Sequence, residues 1–192
     1  MRSVHRQLFK LGFLHTNQGT PMDRTKPRFS SNKGYLGQLS AYLPRRDNAF
    51  AAEQCGTICH RISRSGAVEI LLVSSRETGR WIIPKGWMKL DRAPYEQAAA
   101  EAWQEAGVIG LVERRPFGYF SYLKQWADGT RSPTIVSVFL LLMERLVNGF
   151  REESERRREW VSTTEAARRV QEPELRTLIL KAGQAIASGR AG

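Results

Sequence analysis

Cysteine is almost missing from this chain. Cys55 and Cys59 are the only two in 192 residues, too few for a disulfide framework of the secreted kind. Their surroundings, Gly56-Thr57-Ile58, read as a strand. Four positions apart on a strand they share one face at a separation too long for a comfortable disulfide. With only His60 beside them, and three histidines in all, a zinc site lacks ligands. Free thiols in a reducing compartment are expected, which points to the cytoplasm. Long apolar runs are missing too. No stretch of the sequence approaches the ~20 apolar residues that a helix needs to cross a bilayer. The apolar patch at Leu8–Leu14 is short and contains Lys10, so a secretory signal is not expected.

Acidic residues are scarce, 19 Asp and Glu against 30 Lys and Arg, and the formal charge of +11 suggests a nucleic-acid partner until it is located. Residues 1–50 hold nine Lys or Arg against Asp23 and Asp47, so a tail carries +7 and the remaining 142 residues carry only +4. The tail is rich in Arg, Lys, Ser, Asn, Gly and Pro without sustained periodicity. It reads as a basic, disordered N-terminal segment, with a second plausible start at Met22. Residues 51–192 are then one domain of a size that can bury a single core. The tail as a nucleic-acid-binding arm is the lesser alternative, and a small molecule is the expected partner of the body.

Within the body the texture alternates clearly. Cys55–Arg61 and Val68–Ser74 read as strands joined by a hairpin signal at Ser63–Gly66. Trp81–Ile83 is a third short strand that enters a turn-rich loop at Pro84–Gly86. A helix is expected from Pro94 to about Ala106, stopped by Gly107. Its alanines, Ala98, Ala99, Ala102 and Ala106, make it slim enough for close packing on a sheet. Strands are expected over Gly110–Arg114, Phe117–Gln125 and Thr134–Arg145, the last two joined by Asp128-Gly129. A short strand at Glu159–Val161 follows the polar segment Leu146–Arg158. Ser162-Thr163-Thr164-Glu165 offers a capping box for a helix over Ala166–Gln171, and a final helix spans Glu174 to Ala187 after Pro173. Strands, a middle helix, more strands and terminal helices make an α+β sandwich.

On the middle helix Glu101 and Glu105 stand four residues apart, about 40° around the axis, and project from one face. Neighbouring carboxylates repel unless a cation lies between them, and oxygen ligands of this kind favour magnesium or manganese. The stretch Gly86–Val108 resembles the Nudix box: Gly, five residues, Glu, seven residues, Arg-Glu, an aliphatic, one residue, Glu-Glu, one residue, Gly and an aliphatic. Gly86, Glu101, Glu105, Gly107 and Val108 match. Arg92 stands where the box has Glu, Ala100 where it has Arg, and Gln104 where it has Glu. Leu71–Arg76, Arg80–Gly86, Glu105–Gly110 and Arg157–Val161 extend the resemblance toward the family's diphosphoinositol polyphosphate and diadenosine polyphosphate hydrolases, in a bacterial form.

The resemblance implies a Nudix-type α/β/α sandwich with a mixed sheet between helices. It implies a metal-dependent pyrophosphohydrolase that cuts a phosphoanhydride of a polyphosphorylated metabolite by water attack at phosphorus. Carried over residue by residue, Glu101 and Glu105 are metal ligands with the carbonyl of Gly86, and Gln104 occupies a further ligand position without charge. Glu101 is a candidate general base, in competition with the loop residues Glu152, Glu153 and Glu155. The cofactor implied is Mg2+ or Mn2+. Arg76, Arg80, Lys85, Arg157 and Arg158 are the candidates for phosphate contacts, since guanidinium and ammonium groups suit that anion. Lys124 and Arg131 flank a hairpin near the cleft, and Trp87 is the aromatic residue allowed a part in stacking. The changed box keeps open a second reading, a Nudix-fold module that binds a nucleotide or RNA without cleaving it.

Overall fold

The computed structural model describes residues 52–189. The basic tail, residues 1–50, and the second start at Met22 lie outside the described residues. Eight strands and three helices follow in chain order: β1 (Ala52–Ile62), β2 (Val68–Ser74), β3 (Trp81–Ile82), β4 (Lys85–Trp87), α1 (Pro94–Ala106), β5 (Val108–Val112), β6 (Gly118–Gln125), β7 (Arg131–Leu146), β8 (Arg158–Ser162), α2 (Thr163–Arg169) and α3 (Pro173–Ala187). The sheet is mixed. Its central path runs β3-β2-β1-β7-β5, with β4 also on β1, β6 on β7 and β8 on β2. The long central strands β1 and β7 pair in parallel, from Ala52 opposite Thr134 to His60 opposite Leu142, and the other pairings are antiparallel.

Period-two alternation along β1 divides the core between the two faces of the sheet. Ile58 faces a cluster with Ile70, Leu72, Phe120, Val138 and the buried residues of α2 and α3, among them Leu175 and Ile179. Cys55 and Cys59 face the opposite way, Cys55 against Ala98 and Phe139, Cys59 in the cluster that holds Ala102 and Ala106. Both thiols are free and buried, and burial pushes each up to about 12. Small alanines on the buried face of α1 let its backbone approach the sheet, so the expected α/β/α sandwich is observed.

Local signals account for the ends of α1. Pro94 is its first residue, where a missing N–H costs nothing. The Glu96 carboxylate accepts from the Ala93 backbone N–H at 3.4 Å. Gly107 ends the helix with φ 66°, a left-handed conformation that glycine adopts without strain. Ser162 caps α2, its Oγ accepting from the Glu165 N–H at 3.3 Å. The strand expected at Gly110–Arg114 begins earlier, at Val108, because the chain turns into the sheet directly from Gly107.

One strand was unexpected. The stretch Lys85–Trp87, read as loop, pairs with β1 through Gln54–Trp87, Cys55–Gly86 and Gly56–Lys85. Gly56 permits this, since a Cβ there would collide with the Pro84 carbonyl and the Lys85 side chain. The pairing carries Lys85, Gly86 and Trp87 to the mouth of a cleft beside α1. Among the described residues no helix is long and apolar enough to cross a membrane.

Candidate active site

The cleft lies between the Glu101–Glu105 face of α1, strand β4, the turn after β2 and the β7–β8 connection, and has a volume of about 280 Å³. Glu101, Gln104 and Glu105 enter it from α1, Lys85 and Gly86 from β4, and Arg76, Lys124, Glu152 and Arg156 from elsewhere in the chain. The two glutamates expected on one helical face do reach one cavity.

Glu105 is held on both oxygens. Its Oε2 accepts from the Lys85 backbone N–H at 3.0 Å, and its Oε1 is paired with the Nη2 of Arg156. Arg156 also donates through Nε to Glu152 at 2.6 Å and through Nη1 to the Ser74 carbonyl at 2.9 Å. The Arg156 and Glu105 side chains are only 5% and 6% exposed. Desolvation pushes Glu105 up to about 7, against the opposing pull of Arg156 and the Lys85 N–H. Lys85 itself is pulled down to about 8 by burial, partly offset by Glu105.

Glu101 has a different environment. Gln97, fully buried one helical turn earlier, donates from Nε2 to Glu101 Oε1 at 2.5 Å. Arg92 in turn reaches Gln97 Oε1 at 3.4 Å. Gly86 lies against the carboxylate so closely that a Cβ there would overlap it. Burial raises the Glu101 pKa, opposed first by the Gln97 hydrogen bond.

Among the described residues no three His, Cys, Asp or Glu side chains are gathered as a ready-made metal cluster. A magnesium ion does not require one. It retains several waters and is commonly held by one or two carboxylates together with substrate phosphates. The half-buried carboxylate of Glu101 fits that donor set, and Glu105 joins it if Arg156 yields. Nitrogen- or sulfur-preferring metals fit poorly, because among the described residues no imidazole or thiol borders the cleft.

No family model matches the chain. It is 29% identical over 130 residues to Nudix hydrolase 21, chloroplastic, of Arabidopsis thaliana, covering 65% of this chain and 62% of that protein. It is 30% identical over 121 residues to diphosphoinositol polyphosphate phosphohydrolase 3-alpha of Mus musculus, covering 62% of this chain and 69% of that protein. The chain belongs to the Nudix hydrolase family. It spans less than two thirds of the length of the first of these relatives. A solved structure of a C. elegans Ap4A hydrolase binary complex matches 71% of this chain and 98% of its own with a TM-score of 0.55 at 18% identity, a likeness of fold.

The altered Nudix box has a local account. Arg92 and Ala100, which replace a Glu and an Arg of the box, no longer form a pair. Arg92 instead approaches Gln97, and Gln97 orients Glu101. Gln104 Oε1 accepts from Arg151 Nη1 at 3.2 Å, so the third box position is tied to the β7–β8 connection.

The expected phosphate contacts separate into three groups. Arg76 and Lys85 border the cleft, with Arg76 paired to Glu152 at 3.6 Å and to Glu155 at 3.3 Å. Arg80 lies in an adjoining depression with Tyr122 and Arg131, bound to Glu172 at 2.5 Å. Arg157 and Arg158 do not line either space. The Arg157 guanidinium covers the Trp81 ring at 5.3 Å, and Arg158 donates to the carbonyls of Ala106 and Val147, closing the end of α1. Of the loop glutamates, Glu152 borders the cleft, Glu153 binds the Gly149 N–H and Glu155 binds Arg76.

Sequence reasoning passed over Arg156 and Gln97. Gln97 was within reach, being one turn before Glu101 on a helix already assigned. Arg156 was not, because it is one of three consecutive arginines and only the path of the connection selects it.

Proposed function

We propose that the chain is a metal-dependent pyrophosphohydrolase that splits a phosphoanhydride in a polyphosphorylated metabolite. The observation that carries this reading is the convergence of Glu101 and Glu105 with Lys85, Lys124 and Arg76 in one cleft. Such a site has anionic oxygens for a divalent cation and cations for the substrate's outer phosphates. The named relatives support a substrate of the diphosphoinositol polyphosphate or diadenosine polyphosphate type.

In the proposed reaction a water oxygen bonds to phosphorus, the anhydride P–O bond breaks, and two phosphorylated products leave. Glu101, with Glu105 beside it, would hold Mg2+ or Mn2+, which supplies charge neutralisation at the phosphoryl oxygens. Glu101, beside that cation, is one candidate to accept the water proton. Glu152, which also borders the cleft, is the other candidate for that proton. Lys85, below its usual pKa yet next to Glu105, and Arg76 would bind the phosphates that flank the cleaved bond.

The test is a turnover screen over dinucleoside polyphosphates, nucleotide sugars and inositol pyrophosphates with Mg2+ or Mn2+. Glu101→Gln and Glu105→Gln are compared with wild type. Equal rates in all three proteins would remove these residues from the chemistry.

A second reading, a binding module without turnover, has one observation in its favour. Arg156 already neutralises Glu105, and Gln104 supplies no charge. Ligand binding without metal and without product in the same screen would select it.

A further inference from the structure

An apolar part of the sheet lies beyond the reach of the helices. On one face α2 and α3 cover Ile58 and Leu140, which share a cluster with Leu178, Ile179 and Ala182. Two positions further along β7 the cover ends. Leu142 is 41% exposed, and Leu111, its register partner on β5, is 63% exposed. His60 is the partner of Leu142 on β1. Residues in register share a face, so three neighbouring strands present Leu111, Leu142 and His60 side by side. Exposed leucines are ordinary when scattered, but these are contiguous.

The row floors a depression of about 480 Å³, walled by Leu140 and, after β5, by Glu113, Arg114 and Arg115. That volume is within the ~300–1,000 Å³ range of small-molecule pockets. The depression shares no residue with the cleft. Gln54, on the same strand as His60, borders the cleft, and six positions along a strand are roughly 20 Å.

The polar groups decide what the depression accepts. His60 is buried, and its Nδ1 has no hydrogen-bond partner among the described residues. A buried polar atom left unpaired is a cost that a ligand's polar group can remove. Neither Arg114 nor Arg115 has a carboxylate partner among the described residues. Arg114 lies over the Tyr95 ring at 5.8 Å, which leaves Arg115 as the cation free to turn toward a ligand. Glu113 is the opposing charge on this wall, with no Lys or Arg paired to it among the described residues. Two guanidinium groups against one carboxylate, on a chain of net charge +11, leave the wall with an excess of positive charge.

We propose that this depression is a binding site for a small amphipathic anion, an apolar chain that ends in a carboxylate. The chain lies over Leu111 and Leu142, and the carboxylate meets Arg115 at the wall. The site is independent of the pyrophosphohydrolase reading, since no group of the cleft takes part. A second copy of this chain is the poorer occupant, because it would bring like charge to the Arg114 and Arg115 wall.

Calorimetric titration of the full chain with octanoate, decanoate, octanol and octylammonium tests this. Decanoate is expected to bind about tenfold more tightly than octanoate, as two further buried methylenes require. Octanoate should in turn bind more tightly than octanol or octylammonium. The His60 imidazole proton resonances should shift on addition of decanoate, which locates it in the depression. Leu111→Asp, a change at an exposed side chain, should weaken decanoate about tenfold. Arg115→Gln, at an exposed position outside the core, should weaken decanoate about 2- to 5-fold and leave octanol unchanged. Equal affinity for octanoate and decanoate, or undiminished binding in both variants, would overturn the proposal. Tighter binding of octylammonium would overturn it by giving the wall to Glu113. Sedimentation of wild type as a dimer that Leu111→Asp converts to a monomer would give the face to a second copy instead.

Discussion

Arg156 and Glu105 form an ion pair inside the cleft, with both side chains almost wholly buried. Glu152 completes the arrangement from the other side of the guanidinium. The chain thus places its own cation between Glu105 and Glu152, while Glu101 is held by Gln97. Removal of one partner from such a pair is costly, about 3–5 kcal/mol, because the remaining charge stays buried. Arg156→Ala should therefore lower the unfolding free energy by about that amount in the absence of metal. It should also be stabilised by Mg2+ more strongly than wild type, since the ion would fill the same electrostatic role and bind only the folded chain. Thermal unfolding with and without saturating Mg2+ reads both effects. An equal response to Mg2+ in the two proteins would separate Arg156 from the metal site.

Gln97 offers a prediction about Glu101. The amide aims the carboxylate from within the helix, and neither partner is free to reorient without losing a partly buried hydrogen bond. Groups that orient a metal ligand commonly contribute 10- to 100-fold in metal affinity. Gln97→Leu should weaken Mn2+ binding by a factor of this order, followed by electron paramagnetic resonance of free Mn2+. Gln97→Glu, which puts a second negative charge against Glu101, should strip that carboxylate of its donor as well. Unchanged Mn2+ affinity in Gln97→Leu would show that Glu101 is oriented by other contacts.

The helix α1 and most strands were legible because their signals are local. Pro94 and Gly107 mark the helix ends, and the β2 boundaries at Val68 and Ser74 follow from its apolar run. Strand β4 was hidden by the opposite circumstance. Pro84 and Gly86 are turn residues by local preference, and their strand pairing depends on Gly56, about thirty positions earlier, clearing space for the Lys85 side chain. In the site, helical spacing put Glu101 and Glu105 on one face, which by itself is usual for a solvated surface, and the resemblance to the Nudix box singled them out. The run Arg156-Arg157-Arg158 was not resolvable in that way. Its three guanidinium groups go to Glu105, to the Trp81 ring and to the end of α1, a division set by a connection without a period.

His60 provides a pH prediction away from the cleft. It is buried on β1, its Nδ1 lacks a hydrogen-bond partner among the described residues, and desolvation lowers its pKa below the usual 6.5. The unfolded chain binds a proton near 6.5, whereas the folded chain resists until a lower pH. The unfolded state thus binds more protons in that window, and stability falls as pH drops through it. His60 contributes a loss of stability below about pH 6.5, opposed in wild type by Glu105, whose pKa raised to about 7 favours the folded chain as it takes up a proton there. Relative to wild type, His60→Leu should therefore gain thermal stability as the pH falls through this range. Identical slopes for the two proteins would place the acid sensitivity in other groups.

Gln104 stands where the Nudix box has a glutamate, so the missing charge can be restored. The amide oxygen accepts from Arg151, a partner that a carboxylate at this position would bind more tightly. Gln104→Glu alone therefore divides its new charge between Arg151 and any cation in the cleft. Coupled with Arg151→Ala, the new carboxylate has no competing guanidinium and faces the same space as Glu101 and Glu105. A gain of only about 1.4 kcal/mol from an added charge is tenfold in affinity. The double variant should bind Mn2+ about tenfold more tightly than wild type, with the single Gln104→Glu variant in between, as titrated by electron paramagnetic resonance. If turnover in the substrate screen rises in the same order at limiting Mg2+, the amide at position 104 is what restrains the cation. If Mn2+ affinity is the same in all three proteins, the cation is held without this position, by Glu101 and the substrate's own phosphates.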